Sequence, residues 1–176
     1  MFSFSLQINR RDMIQRVQTL FLIGVVICMA LAVEFPIWEK TSPDSEVKYA
    51  LDAFYWKEFQ KNDSDSKAWD LAISRPSFYL AGVGILVCLS TLFSIFQFKR
   101  RTTQIKIGAL NAFLMMVYIA LATYFIYRGE SKIGMDARGI FKAGYFLPLG
   151  AMILNSLANR FIKKDEDLVR SVDRIR

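Results

Sequence analysis

Histidine is absent from the 176-residue chain. Its absence removes the side chain that proteins use most often as a metal ligand and as a general base near neutral pH. It also excludes bis-histidine haem ligation and any Ser-His or Cys-His catalytic pair. No glycine-rich stretch resembles a nucleotide-binding loop. These absences predict a protein that is not an enzyme and that holds no cofactor and no metal.

Cysteine is also scarce, and acidic residues are missing from the interior of the long apolar runs. The two cysteines, Cys28 and Cys88, both lie inside apolar runs, where a thiol behaves as a small hydrophobic side chain. No aspartate or glutamate lies deep in any of the long apolar runs. Since transmembrane proton relays depend on such carboxylates, a relay through the bilayer is not expected.

The chain is instead rich in apolar residues. Hydrophobic residues make up 53% of it, aromatic residues 14%, and the mean hydropathy is +0.26. Charged residues reach 22% but are segregated, and long stretches of the chain are empty of them. The net charge of +7 is concentrated in short segments beside those runs, a pattern typical of membrane topology rather than of nucleic-acid binding. The composition predicts a membrane protein that binds no nucleic acid.

Four apolar runs are long enough to be read as transmembrane helices. The first follows a basic segment and contains Ala30-Leu31-Ala32, so a cleaved signal peptide is a rival interpretation. We interpret it as a retained span. Pro148 interrupts the last run and should bend its helix. The predicted spans are residues 17–33, 76–98, 105–127 and 140–159.

The connecting segments differ in charge. Residues 1–16, 99–104 and 160–176 are dense in lysine and arginine, whereas the long segment 34–75 is net acidic. Because positive charge favours the cytoplasmic side, both termini and the 99–104 loop are expected in the cytoplasm. Segments 34–75 and 128–139 are then extracytoplasmic.

Segment 34–75 leaves two local structures open. Alternation at Val47, Tyr49 and Leu51 favours a strand, whereas the aromatic residues that follow, from Tyr55 to Phe59, are equally compatible with an amphipathic helix. We expect a strand pair or a mixed cap. The predicted fold class is therefore an all-α membrane protein of four transmembrane helices, with a small extracytoplasmic loop domain between helices 1 and 2 and a cytoplasmic C-terminal helix.

Polar side chains near the cytoplasmic ends of the spans are candidate functional residues. One amide in each span, at comparable depth, predicts an intramembrane polar layer that either joins the helices or forms a binding site. At the opposite boundary, Glu34 and Lys142 are candidates for an ion pair, and the alternative is that Lys142 extends to the surface. The predicted layer comprises Gln18, Gln97, Asn111 and Asn155.

The C-terminal tail carries an apolar stripe with helical spacing, at Leu168, Val172 and Ile175. Such a stripe indicates either a helix lying along lipid headgroups or a docking helix for a cytoplasmic partner. The acidic run Asp165-Glu166-Asp167 beside two lysines indicates a salt-bridged helix face rather than a metal site. The candidate partner-binding residues are Arg160, Lys163, Lys164, Leu168, Val172 and Ile175.

Three stretches of the sequence also resemble a known family. They are Met13-Ile-Gln-Arg-Val-Gln-Thr-Leu-Phe-Leu22, Phe146-Leu-Pro148, and the final stretch from Leu157 through Asn159-Arg-Phe-Ile-Lys-Lys-Asp-Glu-Asp to Arg176. Together they are similar to a family of uncharacterised four-span membrane proteins from Bacteroidota, known as a domain of unknown function. The resemblance runs from Met13 to Arg176 and implies an inner-membrane location. It implies no activity, cofactor or catalytic residue.

Two functional hypotheses follow. The first is a non-enzymatic accessory, scaffold or assembly subunit of a larger membrane complex, docking through its helix-packing faces and its cytoplasmic tail. Its partners would be membrane lipids, other membrane proteins and a cytoplasmic protein at the tail. The small residues Gly24, Cys28 and Ala32, spaced four apart, provide one such packing face. The alternative is a small transporter or channel that uses the intramembrane amides.

Overall fold

The computed structural model describes the backbone of residues 2–42, 47–61, 69–98, 100–133 and 139–173, and the side chains within 17–42, 47–61, 69–98, 100–130 and 139–167. Four helices carry most of these residues: α1 (Phe2–Glu34), α2 (Phe78–Phe96), α3 (Arg101–Ile133) and α4 (Ala143–Asp173). Five strands lie between them: β1 (Trp38–Thr41), β2 (Val47–Leu51), β3 (Tyr55–Lys61), β4 (Trp69–Pro76) and β5 (Ile140–Phe141).

Three of the helices contain segments that are long and apolar enough to cross a membrane. These segments are Val17–Glu34, Phe78–Phe96 and Arg101–Glu130. The fourth helix, α4, is not in this group, because its apolar first half is diluted by Pro148, Asn155 and Asn159 before its charged second half begins. Helix α4 continues through Pro148, which is buried.

Contacts between α3 and α4 show that these helices run antiparallel over the whole bundle. Near the sheet, the hydroxyls of Thr123 and Tyr145 lie 3.1 Å apart, and at the far end Arg101 contacts Asp165. Helix α1 packs most extensively on α4, with the rings of Phe21 and Phe161 stacked at 5.5 Å. All four helices therefore extend between the same two ends of the molecule.

One end of the bundle is covered by a five-stranded antiparallel sheet with the strand order β4-β3-β2-β1-β5. The prediction of a strand at Val47–Leu51 is confirmed, and its pairing with β3 shows that the helical alternative for the next segment was wrong. The described part of the chain is thus mostly helical, as predicted, but the five-stranded sheet means that the fold is not all-α. A register shift between Glu58 and Phe59 obscures the alternation of β3 in the sequence.

The fifth strand joins the two connections on this side of the bundle. Strand β5 pairs with β1, so that Trp38 lies opposite Phe141. Beyond the pair, the Lys142 amide donates to the Ile37 carbonyl at 2.9 Å. The side chain of Trp38 is fully buried and stacks on Trp56, with ring centroids 5.6 Å apart. The sheet is thus packed on the helix ends rather than attached to them by a single linker.

Several element boundaries differ from the predicted spans. Helix α3 continues to Ile133, through the start of the predicted 128–139 loop, and α2 occupies 78–96 rather than 76–98. Residues 140–141 form β5 instead of starting the fourth helix. Hydropathy cannot predict where the fourth helix begins, because β5 forms through its pairing with β1, which lies far away in the sequence.

Candidate functional site

The interior of the bundle holds a hydrogen-bonded polar group between α2 and α3. Asn111 is fully buried and donates from Nδ2 to the Thr91 hydroxyl at 3.0 Å. The Ser90 hydroxyl donates to Asn111 Oδ1 at 2.5 Å. The Oδ1 and Nδ2 atoms of Asn111 therefore both have hydrogen-bond partners on α2. Its role in the structure is to join the two helices.

A second polar group lies between α3 and α4. Asn155, also fully buried, donates to the Gly108 carbonyl at 2.8 Å. A side chain at position 108 would collide with Asn159, so glycine permits this close approach. The Oδ1 atoms of Asn155 and Asn159 are buried and have no hydrogen-bond partner among the described residues. These two oxygens could accept bonds from a small polar molecule.

The remaining amides of the predicted layer are placed differently. Gln18 on α1 is buried, and its Nε2 has no partner within the described part of the chain. Gln97 caps the C-terminal end of α2, where its backbone amide contacts the Phe93 and Ser94 carbonyls. Sequence reasoning missed Gln104, a buried side chain on α3 that donates to the Ser94 carbonyl at 2.8 Å. Its position in the first turn of α3 gave no reason to place it inside.

The end of the bundle away from the sheet is closed by an ion pair. Arg101, the first residue of α3, contacts the Asp165 carboxylate at 2.9 Å and donates to the Asp165 carbonyl at 3.1 Å. The Asp165 side chain is only 1% exposed. Beside it, the Thr102 hydroxyl donates to Glu166 at 3.1 Å. One member of the acidic run, Asp165, is thus in an ion pair, and its partner is on α3 rather than a neighbouring lysine of the tail.

The predicted partner-binding residues of the tail fall into two groups. Arg160, Lys163 and Lys164 are exposed on α4. Leu168 and Val172 belong to the described backbone of α4, but their side chains are outside the described set, and Ile175 lies outside the described residues altogether.

At the sheet end, charged residues join β1, β2 and the start of α4. Lys142 pairs with Glu39 at 3.1 Å rather than with Glu34, and Lys48 contacts the same carboxylate at 3.3 Å. Partial burial raises the pKa of Glu39, but the hydrogen bond from Lys142 and the charge of Lys48 lower it by more, so the pKa lies below its usual value. The pairing with Glu34 was wrong because β1 carries Glu39 to the lysine.

A cavity of about 330 Å³ lies where the sheet meets the end of α3; we name it the junction cavity. Its walls combine aromatic rings with charges of both signs, and Gly129 allows Trp56 to pack against α3. Burial and then the charge of Glu58 raise the pKa of Tyr49 above its ordinary value. The lining includes Tyr49, Trp56, Glu58, Arg75, Phe125 and Arg128.

Within the described residues, no three cysteine or carboxylate side chains come together as a metal site would require. Three helices of membrane-spanning length and composition, with an antiparallel sheet on one end, indicate a small helical membrane protein. The profile of the family described as a domain of unknown function (DUF4293) matches residues 14–175, and the chain belongs to that family. No curated protein matches the chain.

Proposed function

We propose that this protein is a non-enzymatic subunit of the bacterial inner membrane that serves as an accessory, scaffold or assembly factor for a larger membrane complex. It crosses the membrane four times. The fourth crossing is supported by the packing of α4, which runs antiparallel to α3 from Tyr145 near the sheet to Asp165 at the other end. A helix that accompanies a spanning helix over this length crosses the same layer.

The distribution of charge supports an orientation with the sheet outside and both termini in the cytoplasm. Exposed basic residues lie at the end away from the sheet, among them Arg100, Lys106, Arg160 and Lys163. Positive charge next to spans favours the cytoplasmic side. A cysteine introduced at Thr41 should then react with a membrane-impermeant thiol reagent outside intact cells, and protection there would reverse the orientation.

The observation that carries the proposal is the continuity of α4 beyond the bundle. The helix passes the ion pair at Asp165 without interruption and continues to Asp173. Two residues at the start of α3 contact α4 here: Arg101 pairs with Asp165, and Thr102 donates to Glu166. Because these contacts fix α4 where it leaves the bundle, the tail extends from the bundle in a defined direction. A pre-oriented helix loses less conformational entropy on docking than a flexible tail does.

The small residues of the spans divide into two sets. Gly24 lies against Leu154, and Ala32 is buried, so this packing face is used within the bundle. In contrast, a Cβ added at Gly82 on α2 or at Gly150 on α4 would meet nothing within 4 Å. Small residues that open toward lipid permit close approach of a helix from another protein. They support docking within the membrane as well as at the tail.

The test replaces the apolar stripe of the tail while leaving the ion pair at Asp165 intact. A Leu168→Gln, Val172→Gln, Ile175→Gln variant, expressed at native level and extracted in mild detergent, should elute on size exclusion as a smaller species than the wild type. The matched control is Arg170→Gln, Arg174→Gln, two positions that a projection of the sequence at 100° per residue puts opposite the stripe. An unchanged elution volume for the stripe variant would contradict the proposal.

A small transporter or channel is the second candidate. It is favoured by three buried atoms that find no hydrogen-bond partner among the described residues, Asn155 Oδ1, Asn159 Oδ1 and Gln18 Nε2. Polar groups without a partner in a bundle interior are costly unless a solute or water binds them. An Asn155→Leu, Asn159→Leu variant, which removes both of these oxygens, should then abolish solute flux in proteoliposomes. Wild-type vesicles that show no flux above protein-free vesicles would exclude this candidate.

A further inference from the structure

The junction cavity combines two cations and an anion that come from different parts of the fold. Arg75 lies near the end of β4, Arg128 lies in the last turns of α3, and Glu58 lies on β3 between Tyr49 and Ile73 of the neighbouring strands. Its volume of about 330 Å³ lies in the range of small-molecule sites. The cavity could therefore hold a compact ligand with separated positive and negative groups.

The depth of the cavity is marked by aromatic residues. Tyr79 at the start of α2 is 71% exposed, and Tyr127 near the end of the apolar part of α3 is 73% exposed. Tyr124 is also exposed at this level. Exposed tyrosines at one level of a membrane protein form the belt that lies among lipid headgroups. The junction cavity, lined by Phe125 and Arg128 of the same helix segment, lies at that level.

We propose that the junction cavity binds the headgroup of a zwitterionic phospholipid that carries a primary ammonium group. Arg75 and Arg128 bind the phosphate, and Glu58 binds the ammonium group. Guanidinium groups suit phosphate oxygens because they present several donors in one plane. The carboxylate of Glu58 disfavours a headgroup that carries only negative charge. Beside such a headgroup, the carboxylate would either repel any further negative group of the ligand or remain without a cationic partner.

The surrounding side chains position these charges. The Arg128 guanidinium lies 5.8 Å from the centre of the Tyr124 ring and donates to its hydroxyl at 3.4 Å. Trp56 forms an apolar wall, held by its stacking on Trp38. Tyr49, which lies opposite Glu58 in the strand register, also lines the cavity, and its hydroxyl group is a further donor. The acyl chains would then continue along the apolar outer surface of the helices.

Lipid retention by the purified full-length protein tests this site. In neutral detergent micelles supplied with equal amounts of phosphatidylethanolamine and phosphatidylglycerol of identical acyl chains, native mass spectrometry should show a preference of about tenfold for the ethanolamine lipid, as expected for one charge-assisted contact. Glu58→Gln should abolish the preference while phosphatidylglycerol remains bound, which also shows that the variant is folded. Equal retention of both lipids by the wild type would overturn the proposal.

Two further comparisons distinguish the site from bulk charge and from a soluble ligand. Arg75→Gln, Arg128→Gln should lower retention of both lipids by about tenfold or more. The control Arg100→Gln, Lys106→Gln removes the same charge from the opposite end, where both residues are exposed, and should have no effect. An equal loss in the control would overturn the proposal. Displacement of the lipid by an equal concentration of free phosphoethanolamine would instead assign the cavity to a soluble ligand.

Discussion

Replacing Arg101 by methionine should lower the free energy of unfolding by about 3–5 kcal/mol, because the change leaves the carboxylate of Asp165 buried without its cation. Asp165 is 1% exposed, and its Oδ1 atom has no hydrogen-bond partner among the described side chains. The arginine also donates to the Asp165 carbonyl. Equilibrium unfolding in mixed micelles of a mild detergent and dodecyl sulfate measures the effect.

Two controls define what the measurement means. Arg100→Met removes the same charge from an exposed neighbouring residue and should change stability by less than about 0.5 kcal/mol. The double variant Arg101→Met, Asp165→Leu removes both charges and should recover most of the loss, since an apolar pair can replace a buried ion pair. If Arg101→Met were as stable as the wild type, Asp165 would not be held as a buried anion.

Replacing Gly144 by alanine should cost about 1–3 kcal/mol, as expected when an added group overfills a packed region. A Cβ at this position would lie 2.5 Å from the Phe35 carbonyl oxygen and 2.9 Å from that of Pro36. Both obstacles are backbone atoms, which cannot rotate away as a side chain can. The Gly144 amide also donates to the Pro36 carbonyl at 3.1 Å, so the displacement would strain a hydrogen bond.

Helix α4 contains a matched control for this substitution. Gly150 lies six residues further along the helix, and a Cβ there would meet nothing within 4 Å. Gly150→Ala should therefore be neutral or stabilise the protein by up to about 1 kcal/mol, through the helix preference of alanine. Thermal unfolding of both variants in detergent compares them. Equal melting temperatures would mean that α4 does not contact the corner between α1 and β1 tightly.

The sequence was most informative where the physics is local. A bilayer span needs only a long run of apolar side chains, so three of the four predicted spans correspond to helices of membrane-spanning length and composition. Alternation predicted the strand at Val47–Leu51 because its period can be read within five residues. The absence of histidine limited the possible chemistry without any knowledge of the fold.

The remaining features depend on contacts between distant parts of the chain. An ion pair between Lys142 and Glu34 was one of two alternatives that the sequence left open, but the register of β1 brings Glu39 to Lys142 instead. The partner of Asp165 lies 64 residues away on another helix. Strand β5 has only two residues and no periodicity of its own, so nothing in its sequence distinguishes it from the start of a helix. The junction cavity likewise forms only when β3 and β4 reach α3.

Strand β5 also has a consequence for the order in which the protein is made. Strands β1 to β4 form a meander of neighbouring segments, which can pair as soon as the chain has been synthesised as far as Pro76. Strand β5 pairs with β1 but is synthesised only after α2 and α3. Until then β1 presents an open edge, which invites pairing with other chains. Insertion of the third helix and completion of the sheet are thus consecutive steps of biogenesis, and a delay between them leaves the nascent chain prone to misassembly.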